Sequence, residues 1–133
     1  IPTPPLPAQP PAISVPEPVL PMDFDEALRR FDNDRAFLEA MCAELVKGIP
    51  PRIADMRADL AAGNANDFFR HAHNLKGMAA NFSAHPLVNL ARELETMGRA
   101  EDLTGADLRL DQMDVEFIRL CGHLRALGIM LPV

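Results

Sequence analysis

His73, Lys76 and Gly77 are the residues of this chain whose types and spacing suggest chemistry. A neutral imidazole is a competent nucleophile near neutral pH and can attack an acyl phosphate. Lysine three residues on, one helical turn away, sets a positive charge where phosphoryl oxygens would sit. It stabilises both the transferred group and the charge spread over its oxygens during transfer. Glycine at the fourth position removes the side chain that would shield the ring. A mid-helix glycine costs about 1 kcal/mol relative to alanine, so its presence asks for a reason of this kind. The bland alternative is a solvated histidine with a lysine nearby by chance, and three residues alone do not exclude it.

The orientation of this group follows from the helix that must carry it. Phe68, Ala72, Leu75, Ala79 and Phe82 recur at spacings of 4, 3, 4 and 3, the seam of a bundle helix. One residue further on is about 100° round the axis. Phe69, His73, Lys76 and Ala80 therefore share one flank, beside the core but not in it. His71 falls on the opposite flank with Asn74 and Met78. Asn64 is the expected N-cap of this helix, with Asp67 reaching back to it in a weak capping box.

The remaining elements read as further helices. Asp23 caps a short one through Phe31, with Phe24, Ala27, Leu28 and Phe31 on one side, and Asp32-Asn33-Asp34 ends it. Leu38, Met41, Leu45, Ile49, Ile53, Met56 and Leu60 keep helical phase across Pro50-Pro51. They predict one long helix over about 34–62, bent near 47–51, with two separate helices as the alternative and Gly63 as the C-cap. Ser83 and Ala84 form a short connection, and Pro86 stands as first residue of the next helix, with Leu87, Leu90, Leu94 and Met97 as its seam and Gly98 at a frayed end. Leu110, Met113, Phe117, Leu120, Leu124 and Leu127 mark a last helix that stops at Gly128. The fold class is thus all-α: an antiparallel up-down-up-down four-helix bundle over 23–128, with a short extra N-terminal helix and a tail at 129–133.

Residues 1–22 differ in kind, since nine of the chain's 13 prolines lie between Pro2 and Pro21. They read as an extended polyproline-like linker. A chain that begins with Ile1 reads as a piece of a longer protein. A net charge of −6 argues against a nucleic-acid partner, which needs clustered basic residues. No apolar run is long enough to span a membrane, and no signal peptide is recognisable. Cys42 and Cys121 sit in apolar helical patterns outside any metal spacing and read as buried thiols. His71 and His73 diverge, and His85 and His123 lack a local ligand partner, so no metal site is expected. No nucleophile elbow, P-loop or dinucleotide motif occurs.

The string Ala-His-Asn-Leu-Lys-Gly-Met-Ala-Ala-Asn-Phe at 72–82, flanked by Leu60-Ala61-Ala62-Gly63-Asn64 and Leu90-Ala91-Arg92-Glu93-Leu94-Glu95, resembles the histidine-containing phosphotransfer domains of bacterial phosphorelays. The resemblance spans roughly 23–127. It implies a bundle without kinase activity of its own, whose histidine takes a phosphoryl group from an aspartyl phosphate on one receiver domain and passes it to an aspartate on another. It matches His73 to the phosphoacceptor, Lys76 to the basic residue beside it and Gly77 to the small residue that admits the partner. It places Glu95 and Arg99 where relatives carry a polar and a basic residue near the phosphoryl group. It also implies Mg²⁺ on the receiver rather than on this domain, a monomer and a cytoplasmic location, and the long N-terminal linker favours a C-terminal position in a hybrid sensor kinase. Phe24, Leu28, Phe69 and Ala80 are the expected docking surface. A kinase-charged phosphoacceptor domain of the chemotaxis type and an interaction bundle with a silent histidine are the rival readings. The departure is Ser83, where the family commonly has glycine: it implies either about 1–2 kcal/mol of left-handed strain or a different helix end.

Overall fold

The computed structural model describes residues 19–132. The polyproline expectation for residues 1–18 lies outside the described residues. Five helices follow in order: α1 (Phe24–Arg30), α2 (Arg35–Ala62), α3 (Ala65–Asn81), α4 (His85–Arg99) and α5 (Ala106–Ala126). Each of the four long helices packs on the next, and α5 closes back on α2, so they form a four-helix bundle with α1 as the extra element.

The caps explain where the helices begin and end. Asp23 Oδ1 accepts the Glu26 amide and Asp34 Oδ1 accepts that of Phe37. Between them Asp32 and Asn33 turn the chain with left-handed φ values of 57° and 59°. Gly63, at φ 66°, ends α2 as expected. Asn64 Oδ1 accepts the Asp67 amide. Asp67 reaches back to the Asn64 side-chain amide (2.8 Å), because the Asn64 backbone N–H already donates to Asp59 (2.9 Å).

α2 runs unbroken through Pro50 and Pro51. Leu45, Val46, Ile49 and Ile53 on either side are all buried. At about 1.5–3 kcal/mol each, that burial offsets the roughly 3 kcal/mol that an interior proline costs. The α3 seam is buried as the spacing predicts. On α4 the buried face is Leu87, Val88, Ala91, Leu94, Glu95 and Gly98, while Leu90 and Met97, expected in the seam, are half-buried. At Gly98 the face of α4 lies directly against the Phe69 backbone of α3, so the two helices come close there. Pro86 is the second residue of α4, not the first. On α5, Phe117 and Leu127 lie at the edge of the core rather than within it.

Two residues beyond the expected bundle limits belong to the core: Met22 is 0% exposed and Ile129 4%. Arg119 also donates to the Val19 carbonyl (2.7 Å), so the chain just ahead of α1 is tied to α5. Cys42 and Cys121 are buried free thiols, and burial pushes the Cys42 thiol up to about 11.

Candidate functional site

α3 and α4 form the closest-packed pair of the bundle, and the candidate site lies along one edge of their contact. His73 projects from α3 with its side chain 59% exposed. Glu95 comes from α4 and is buried, its side chain 7% exposed. Its Oε2 lies 3.4 Å from His73 Nδ1 and 2.6 Å from Lys76 Nζ, and its Oε1 accepts from Arg99 at 3.1 Å. One buried carboxylate thus gathers the histidine, the lysine and the arginine. At Oε2 this is charge at short range rather than a well-aligned hydrogen bond. Burial by itself would raise the Glu95 carboxyl, but Lys76 and then His73 outweigh it and hold it below its ordinary value.

Phe69, one turn before His73, stacks on the imidazole with ring centroids 6.1 Å apart and planes at 18°. The Arg99 guanidinium lies over the same phenyl ring, 5.2 Å from its centroid. Gly77 is exposed, and a Cβ there would meet nothing within 4 Å, so the flank beyond His73 is open.

The expected site residues therefore separate. His73, Lys76, Glu95, Arg99 and Phe69 converge, with Gly77 beside them, while Ala80 is exposed two turns along α3. Leu28 is half-buried against the core. Phe24, expected on the docking surface, is instead 9% exposed and packed within the core under the Arg35 guanidinium. Its position at the start of α1 turns its ring inward, which the spacing of a seven-residue helix does not distinguish from outward. His71 lies on the far flank, as expected, where its Nδ1 meets Asp59 of α2. His85, which has no local partner in sequence, finds one in tertiary structure: its Nε2 lies 3.5 Å from Glu26 Oε1, with Asp23 nearby. The Asp23 and Glu26 carboxylates are already engaged there by the α1 cap, Ser83 and Arg30.

Gly98 is the residue that the sequence reading missed. It is buried rather than frayed, and a Cβ there would stand 2.9 Å from the N, Cα and Cβ of Phe69. The signal was available, because the argument that a helical glycine asks for a reason applies to Gly98 as it does to Gly77.

The four-helix bundle thus holds the exposed His73 beside a buried carboxylate, Glu95, that is paired with Lys76 and Arg99. The chain belongs to the Hpt domain family, whose model matches residues 40–127. Its structure is similar to the crystal structure of histidine-containing phosphotransfer protein B (HptB) from Pseudomonas aeruginosa PAO1, with a TM-score of 0.65 and 25% identity over 80% of this chain and 90% of that one. No curated protein matches it significantly. The role of the chain is phosphotransfer within a two-component phosphorelay. Among the described residues, no helix is long and apolar enough to cross a membrane.

Proposed function

We propose that His73 accepts a phosphoryl group from the aspartyl phosphate of one receiver domain and passes it to the aspartate of another. The observation that carries this reading is the posture of the imidazole: Nδ1 faces Glu95 at 3.4 Å while the side chain is 59% exposed. The other ring nitrogen, Nε2, is then the free nucleophile, and Nδ1 keeps its proton toward the carboxylate. The Nε2 lone pair attacks phosphorus, the P–O bond to the aspartate breaks, and the aspartate leaves as a carboxylate with the bonding electrons. The proton on Nδ1 stays, and the positive charge that the ring gains is balanced by Glu95. Reversal of the same steps on a second receiver completes the relay.

Lys76 and Arg99 supply the cationic rim. Lys76 neutralises Glu95 so that the buried carboxylate does not repel the incoming phosphoryl group, and Arg99, 67% exposed, offers its remaining N–H groups to phosphoryl oxygens. Mg²⁺ would be supplied by the receiver, beside the aspartate. Ala80 and the open flank at Gly77 are the proposed contact margin. The test is to mix the domain with a phosphorylated receiver and Mg²⁺ and measure acid-labile, alkali-stable phosphate on it, with His73→Gln as control. Label on the wild type and none on the variant is the expected result. Equal labelling of both, or none on either with several receivers, defeats the reading.

A further inference from the structure

We propose that Phe69 is a positioning residue for the transfer: seated against the bare face of Gly98, it holds the His73 imidazole and the Arg99 guanidinium in place around Glu95. This rests on the phosphotransfer reading of His73 and is tested apart from it.

Four side chains form a closed loop. Phe69 stacks on His73 at 6.1 Å, and His73 Nδ1 approaches Glu95 Oε2 at 3.4 Å. Glu95 Oε1 binds Arg99 at 3.1 Å, and Arg99 returns over the Phe69 ring at 5.2 Å. Both ring distances fall within the ranges of attractive aromatic and cation–π contacts, about 4.5–7 Å and about 6 Å. An imidazole that is 59% exposed has little else to fix its side-chain torsions. Stacking at 18° holds the plane of the ring against Phe69, and within that plane Glu95 draws the Nδ1 edge toward itself at 3.4 Å. In-line attack depends on such orientation, because reacting atoms must meet at a defined distance and angle.

Gly98 sets the position of Phe69 itself. A side chain at 98 would collide with backbone and Cβ atoms of Phe69 at 2.9 Å, and backbone does not yield as the tip of a flexible side chain does. A residue there other than glycine would force α3 and α4 to shift against each other at the level where Glu95 and Arg99 reach His73 and Phe69. Both halves of the loop then open together.

The experiment compares Phe69→Leu, Phe69→Tyr and Gly98→Ala with the wild type. The first readout is the ¹⁵N shift pair of the His73 ring in the free domain at alkaline pH, which reports the tautomer without a partner. The second is the initial rate of labelling by phosphoramidate, a small donor that needs no docking surface. The wild type is expected to favour the Nδ1–H tautomer. Phe69→Leu loses that bias and is labelled about threefold to tenfold more slowly, the rate equivalent of one aromatic contact. Phe69→Tyr restores both, and Gly98→Ala follows Phe69→Leu; should Gly98→Ala fail to fold, the Phe69 pair decides alone. An unchanged tautomer and labelling rate in Phe69→Leu, with only a raised KM for the receiver, would make Phe69 a docking contact and overturn the proposal. Tyrosine behaving like leucine would overturn it as well. If the tautomer responds as expected but no receiver labels the wild type, the positioning role stands and the relay reading fails.

Discussion

Gly77 and Gly98 are both glycines inside helices, and their surroundings give them opposite work. At Gly77 an added Cβ meets nothing within 4 Å, so the bundle itself does not require glycine there. Gly77→Ala is expected to raise stability by about 0.5–1 kcal/mol, the usual helix-propensity difference, seen as a higher urea midpoint. A longer side chain at the same position would stand on the flank proposed for the approach of the receiver. Gly77→Gln should therefore slow receiver-dependent transfer by roughly tenfold, about 1.4 kcal/mol of lost fit, while the protein stays folded. An unchanged transfer rate would show that the open flank serves no purpose. At Gly98 the surroundings are full, and the cost of a methyl group falls on the Phe69 backbone and on the site it supports.

At the scale of elements, α1 is a clasp on the α3–α4 connection. A helix of seven residues does not hold itself together in water, so its stability comes from what it touches. Arg30 donates to the Ala80 and Asn81 carbonyls at 2.9 and 3.1 Å, at the C-terminal end of α3, where the Ala80 carbonyl also accepts the Ser83 amide. Ser83 is fully buried with a left-handed φ of 54°. Its Oγ accepts from Arg30 (2.9 Å) and donates to Glu26 (2.8 Å), and its carbonyl accepts the Asp23 amide (3.0 Å). The serine at a position expected to favour glycine thus takes the strained conformation and recovers the cost through hydrogen bonds. Ser83→Ala keeps the strain and loses the hydroxyl, for an expected loss of about 1–2 kcal/mol. Ser83→Gly loses the hydroxyl but releases about 1 kcal/mol of strain, so it should unfold between the two in urea. An alanine variant as stable as the wild type would remove the hydroxyl from the account of how α1 is held.

For the molecule as a whole, the depressed carboxyls set the response to acid. Glu26 is held below its ordinary 4.5 chiefly by the Ser83 hydrogen bond. Asp67 is held below 3.8 by Arg70, and Asp102 below 3.8 by Thr104. For Glu95, burial opposes ionisation, and the cations around it prevail. In each case the unfolded chain binds its proton at higher pH than the native one. The stability they confer is present above the unfolded values of 4.5 and 3.8 and is lost as pH falls through the lower native values. Urea midpoints should therefore decline as pH is lowered from 4.5 toward 3, and Glu95→Gln, less stable at pH 7 by about 1–3 kcal/mol, should decline less steeply. Parallel curves for wild type and variant would mean that the Glu95 carboxyl is not depressed.

Local chemistry carried most of the element assignments. The caps at Asp23 and Asn64, the left-handed stop at Gly63 and the seams at 3- and 4-residue spacing act within one or two turns, so each is written in neighbouring residues. The same periodicity placed His73 and Lys76 on one flank of α3, and the Ala-His-Asn-Leu-Lys-Gly string singled out that flank as the candidate site. Contacts between elements were not legible in this way. Phe24 turned out to be core, Met22 and Ile129 joined it, and His85 met Glu26, because helix packing sets those distances and spacing does not. Glu95 and Arg99 were picked out by resemblance, but only the close approach of α4 to α3 made Glu95 the buried centre shared by His73, Lys76 and Arg99. That approach depends on a glycine with no Cβ to stop it, and its effect is visible only once Phe69 lies on the other side.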